Sequence, residues 1–285
     1  MRFIGPECAL GEGPLWHPLR NQLFWFDIPA GRLHVSDAMG GQRQHWDFGE
    51  PASAAGWIDE DRLIVATASA LNVFDISTGQ WSVLCPMESD NPLTRSNDGR
   101  IAPDGSFWIG TMALDAAKKA GAYYRYKAGG LDLLLGEISI PNATCFSPDK
   151  KTAYLADGGQ QTIWRWALDE AGNPIGERQV HVSLKGGSIY PDGAVCDAEG
   201  YLWNAQWAGS RLARYAPDGS LDKIIDLPVS QPTCPAFGGE DLKLMFITSA
   251  REGLSAESLK QQPDAGKVIV IDMDVAGLPE NQAHL

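Results

Sequence analysis

Six oxygen-bearing residues recur at one phase of this chain: Glu12, Ser53, Asn97, Asn142, Asp192 and Thr233. Each stands six residues ahead of a turn, and the turns open near positions 18, 59, 103, 148, 198 and 239. Two carboxylates and two amides among them are hard oxygen donors. With no His or Cys at this phase, the set suits Ca²⁺, Mg²⁺ or Mn²⁺, with water completing the shell. Zn²⁺ held by oxygen ligands and water is the less favoured alternative. Taken singly, an Asp or Asn ahead of glycine is a turn residue, because it tolerates the left-handed region and hydrogen-bonds its own backbone. Glu12, between Gly11 and Gly13, has no such preference. The shared phase decides between the two. These residues are expected to ring one mouth of a channel, with three of them holding one divalent cation, Ca²⁺ favoured.

Residues so far apart in sequence converge only if repeated elements carry them. The segment Gln22-Leu23-Phe24-Trp25-Phe26-Asp27-Ile28 reads as an apolar strand between two turns, and Arg32-Leu33-His34-Val35-Ser36 as the next. The same strand and turn order returns six times at intervals of 41 to 50 residues. That period matches four-stranded propeller blades. The expectation is an all-β, six-bladed β-propeller, one domain over residues 1–285, with a metal site at one mouth of its central channel. The first strand of each blade lines the channel, so the six polar positions sit at its start. Residues 3–10 are expected to pair with a last strand at 267–272 and close the ring. Only 116–120 and 255–261 offer short helices. Irregular inserts at 113–121 and 249–266 are long enough to shape a binding site or to serve as solvated connectors. Pro103-Asp104-Gly105 and Pro217-Asp218-Gly219 fall at turn phase and read as turns. The ten tryptophans read mostly as blade packing, with Trp16, Trp57 and Trp207 nearest the ring positions.

Composition removes several function classes. A formal charge of −13 argues against nucleic acid, which needs clustered Lys and Arg. No stretch has the apolar length of a membrane span, and the N-terminus lacks the apolar core of a secretory signal. Five scattered cysteines without a CxxC point to reduced thiols and a cytoplasmic protein. A GxSxG nucleophile motif is absent, and the histidines fall off the ring phase.

Five motifs then carry a resemblance: Gly11-Glu12-Gly13-Pro14-Leu15-Trp16, Arg95-Ser96-Asn97-Asp98-Gly99, Gly110-Thr111-Met112, Pro191-Asp192-Gly193 and Cys234-Pro235-Ala236-Phe237-Gly238-Gly239. In this order and spacing the chain resembles, over nearly its whole length, the senescence marker protein / regucalcin / gluconolactonase family. The resemblance implies a divalent-metal-dependent lactonase that opens a sugar lactone, an aldonolactone, to its aldonic acid. It implies Glu12, Asn142 and Asp192 as metal ligands, with Asp192 also the general base. It implies Arg95 and Asn97 as substrate contacts, and Asp115 as a third where relatives often carry Glu. Pro141-Asn142-Ala143 stands where many relatives have Ser-Asn-Gly. The family also suggests a calcium-binding regulatory protein without lactonase activity. A propeller scaffold for protein partners is the third reading.

Overall fold

In a strand, alternate side chains leave on opposite faces, and here both faces are covered. Along Gln22–Asp27, Leu23 and Trp25 pack toward one neighbouring sheet, while Phe24 and Phe26 pack toward the other. Along Arg62–Thr67, Leu63 and Val65 face back and Ile64 and Ala66 face forward. Along Phe107–Ala113, Phe107 and Ile109 face back and Trp108 faces forward. The second strands are therefore apolar almost without interruption, because each sheet is sandwiched between two others. The computed structural model describes residues 1–285. Its strands form six antiparallel sheets of four, which are the expected blades. Six apolar clusters fill the six interfaces between neighbouring blades.

The first strands are Gly11–His17, Ala52–Trp57, Thr94–Ile101, Pro141–Phe146, Tyr190–Cys196 and Pro232–Gly238. They touch in order around the channel, and blade 6 meets blade 1. Closure follows the expected route but is shorter. Arg2–Ile4 pairs antiparallel with Val268–Asp272 as the outermost strand of blade 6, and Leu10 only bridges to Ala250. Ala256–Gln261 is helical, with the Ser255 side chain accepting from Ser258 N–H as its cap. Residues 116–120 are not helical: Ala116 (φ 56°) and Lys119 (φ 59°) lie in the left-handed region. All five cysteines are free thiols.

After Val268–Asp272 the chain crosses the end of the channel remote from Arg95. It binds blade 6 through Gly277 N–H to Leu242 O (2.8 Å) and blade 5 through Ala198 N–H to Ala276 O (2.9 Å). It then reaches blades 2 and 3, where Ala283 N–H donates to Trp57 O and His284 N–H to Gly105 O. On the way Glu280 enters the channel and pairs with Arg100 at 2.9 Å.

Candidate active site

Each first strand breaks register with its neighbour at the ring position. The ladder skips between Glu12 and Leu15, Ala52 and Ala54, Ser96 and Gly99, Asn142 and Cys145, Pro191 and Ala194, and Pro232 and Pro235. A β-bulge of this kind bends the strand and re-aims side chains. Two of the bulges need a left-handed residue right after the ring position, Gly13 (φ 54°) and Ala143 (φ 57°). At Ala143 this conformation costs roughly 1–2 kcal/mol. Gly193 serves another purpose. Its φ is not left-handed, but a Cβ there would lie 2.3 Å from Cys234 Sγ. It is a close-packing glycine between two inner strands.

The six ring residues divide into two groups. Glu12, Asn97, Asn142 and Asp192 line one cavity of about 300 Å³. Ser53 and Thr233 do not reach it. The Ser53 hydroxyl donates to Ser96 Oγ (2.8 Å), and the Thr233 hydroxyl donates to Gly11 O (2.5 Å) and lies 2.8 Å from Thr248 Oγ1. Both hydroxyls tie inner strands together, so the ring of six is a cluster of four with two staples.

Arg95 also lines the cavity and starts a relay of hydrogen bonds. Its Nη1 donates to Asn97 Oδ1 (2.7 Å) and Ser96 O (2.9 Å). Asn97 Nδ2 donates in turn to Pro141 O (2.8 Å) and Asn142 Oδ1 (3.0 Å). The relay fixes the Asn142 amide with its oxygen as acceptor and leaves that oxygen a second lone pair. Asp115 is exposed and accepts from Ala117 N–H (3.0 Å), while its neighbour Ala116 is the residue that lines the cavity.

Glu12 and Asp192 are buried and lie close enough to share a proton. Burial raises the Glu12 carboxyl, and the Asp98 charge adds to it. Burial, then Glu12 and Asp98, hold Asp192 well above the usual carboxylate range. Neither closes a salt bridge, although the Arg95 charge draws Glu12 down; Gly13 N–H donates to Glu12 Oε2 (2.9 Å), and Gly193 N–H faces Asp192. Two buried carboxylates without a counter-charge in contact are costly, and an amide oxygen in the same cavity completes an all-oxygen set. The residues present therefore fit a hard divalent cation.

The sequence missed three members of the cavity wall, Glu252, Tyr190 and Ile140. None stands at the ring phase, and Glu252 belongs to the insert at 249–266. Of the three flagged tryptophans only Trp207 lines the cavity. Trp16 stacks on Phe246 with ring centres 5.4 Å apart, and Trp57 donates its indole N–H to Glu280 O (2.9 Å).

Fold and cavity together define a closed six-bladed propeller with an acidic, oxygen-lined pocket at one mouth. Residues 10–251 match the SMP-30/gluconolactonase/LRE-like region, and the chain belongs to that family. It is 37% identical to a putative sugar lactone lactonase of Rhizobium meliloti, with 94% of this chain and 91% of that one covered. It is 35% identical to the 6-deoxy-6-sulfogluconolactonase of Pseudomonas putida, covering 97% and 96%. The crystal structure of a calcium-binding protein, regucalcin, from Agrobacterium tumefaciens superposes with a TM-score of 0.96 at 36% identity, covering 99% and 98%. No helix is long and apolar enough to cross a membrane.

Proposed function

We propose that this protein hydrolyses a sugar lactone, an aldonolactone, to the aldonic acid with the help of one divalent cation, Ca²⁺ favoured. The observation that carries the reading is the unpaired buried couple Glu12 and Asp192 beside Asn142 Oδ1, in a cavity that also presents Arg95. Glu12, Asn142 and Asp192 would hold the cation, which supplies Lewis-acid polarisation of the lactone carbonyl. Asp192 takes a proton from the attacking water onto its carboxylate. The water oxygen bonds to the carbonyl carbon, the bond from that carbon to the ring oxygen breaks, and the ring oxygen leaves as a hydroxyl after taking the proton held by Asp192. A bound cation would lower the basicity of the Asp192 carboxylate and make nearby water more acidic in compensation. Arg95, with Nε and Nη2 unspent on the protein, and Asn97 orient the sugar hydroxyls. Asp115 extends that set to the rim.

A pH-indicator assay over five- and six-carbon sugar lactones tests the reading. Turnover that is lost with a chelator and restored by a divalent cation supports it. Absence of turnover with each of Ca²⁺, Mg²⁺, Mn²⁺ and Zn²⁺ ends it. The similarity to a calcium-binding protein favours one second reading, a calcium-binding regulator. Tight calcium binding without turnover of any lactone selects it.

Cation binding has a readout of its own. Glu12 and Asp192 have pKa values raised in the folded chain, so their ionisation costs stability as pH rises from about 4. A bound cation offsets that cost, while protons compete with it at low pH. A cation at a hundred times its Kd adds about 2.7 kcal/mol, which for a chain of this size is roughly 5 °C in Tm. Chelation should therefore lower Tm by about that much at pH 8 and by clearly less at pH 5. An unchanged Tm at pH 8 means that these residues hold no cation.

A further inference from the structure

Glu252 stands on a fixed piece of backbone at the cavity mouth. Its N–H and that of Arg251 both donate to Ala9 O (2.9 Å each), and Gln231 Nε2 donates to Glu252 O (3.1 Å). The adjacent Arg251 is engaged by Glu7, so it does not neutralise Glu252. The Glu252 side chain is exposed and lines the same cavity as Arg95 without closing a salt bridge to it. Burial draws the Arg95 guanidinium below its ordinary value, and Glu252 is the foremost of the charges that oppose this, ahead of Glu12 and Asp192.

The charges lining the cavity are three carboxylates and one guanidinium: Glu12, Asp192, Glu252 and Arg95. A divalent cation offsets Glu12 and Asp192. What remains among the cavity-lining side chains is Arg95 against Glu252, so Glu252 is the carboxylate that offsets the guanidinium there. A hydroxylated substrate can lie between them, accepting from the guanidinium and donating to the carboxylate. A substrate with an anionic side group would be drawn by Arg95 but repelled by Glu252.

We propose that Glu252 is a specificity-determining residue that faces Arg95 over the mouth, admits neutral polyhydroxy lactones and turns away lactones carrying a phosphate or sulfonate on the exocyclic carbon. This rests on the lactonase reading. The test compares kcat/KM for a neutral aldonolactone and its phosphorylated or sulfonated counterpart in the wild type, Glu252→Gln and Glu252→Lys. The wild type should prefer the neutral lactone. The anionic-to-neutral ratio should rise about 5-fold in Glu252→Gln and on the order of 20-fold in Glu252→Lys, the size expected for one charge at a solvated mouth. Raising the salt should shrink both changes. A ratio that stays put in both variants, or a wild type that prefers the anionic lactone, overturns the proposal. Calorimetric titration with a neutral alditol and the same alditol bearing a terminal phosphate needs no turnover and should show the same order. If no lactone is hydrolysed, the lactonase reading fails, while the titration still decides whether Glu252 sets charge selection.

Discussion

Asp192→Asn is expected to cut lactone hydrolysis by about 10³-fold, within the range for losing a positioned general base, while leaving the fold intact. The substitution removes one carboxylate from the proposed donor set of the cation and removes the group proposed to take the proton of water. It keeps the shape of the side chain. The packing around residue 192 does not depend on its charge: Asn204 Nδ2 donates to the Asp192 backbone oxygen (2.8 Å), and Gly193 packs against Cys234 in either case. The charge itself opposes folding of the cation-free chain, since burial and the neighbouring Glu12 and Asp98 all raise the Asp192 carboxyl. The cation-free variant should therefore melt no lower than the cation-free wild type, and higher above neutral pH, where both carboxylates would otherwise be ionised. Steady-state rates and thermal melts in chelator separate the outcomes. Lost activity with a raised or equal Tm supports the assignment. Retained activity removes Asp192 from the chemistry, and a large fall in Tm makes the lost activity a folding effect.

The tripeptide Pro-Asp-Gly occurs three times in this chain, and the sequence distinguishes the copies only by phase. At Asp104 and Asp218 the carboxylate accepts from Ser106 and Ser220, and Gly105 (φ 84°) and Gly219 (φ 92°) are left-handed turn residues. At Asp192 the same letters form a bulged inner strand. The repeat period carries this information because blades are equivalent, and a position set by one bulge is set by all six. It also explains why two residues share the phase without reaching the cavity. Phase fixes where a backbone sits, but a hydroxyl one bond from Cβ finds a neighbouring hydroxyl or carbonyl sooner than the cavity, as at Ser53 and Thr233. The longer carboxylates and amides reach inward. Glu252 and the C-terminal crossing follow no repeat. Their places depend on which blade edge an irregular segment happens to meet, and nothing in composition or periodicity marks that.

The crossing yields the second large expectation: Glu280→Ala should destabilise the protein by about 3–5 kcal/mol, the usual cost of leaving a buried charge without its partner. Arg100 and Glu280 are each about nine-tenths shielded, with side-chain exposures of 11% and 10%. Burial raises the Glu280 carboxyl although Arg100 draws it down, so desolvation is the larger influence on it. Burial pulls the Arg100 guanidinium down, but Glu280, foremost among its neighbouring charges, holds it above its ordinary value, so the two partners point opposite ways and the intact pair is close to neutral for stability. Its removal on one side is what costs, because the guanidinium then keeps only a 3.5 Å hydrogen bond to Pro235 O. Replacing both partners, Arg100→Met with Glu280→Met, should recover most of the loss. Urea unfolding of the single and double variants measures this, and a single-variant loss below about 1 kcal/mol would mean that the crossing is undocked in solution. The two ends of the channel then respond in opposite ways. Asp192→Asn trades activity for stability at the mouth. Glu280→Ala should lower stability while kcat at a permissive temperature stays near the wild type, because Glu280 touches no residue of the cavity. The link between the ends is Asp98, whose carboxyl feels Arg100 and in turn raises Glu12 and Asp192. An Arg100 freed of Glu280 favours the charged form of Asp98, which raises Glu12 and Asp192 further and makes ionisation at the mouth harder. A small alkaline shift of the pH–rate profile in Glu280→Ala, absent from the double variant, would show that coupling.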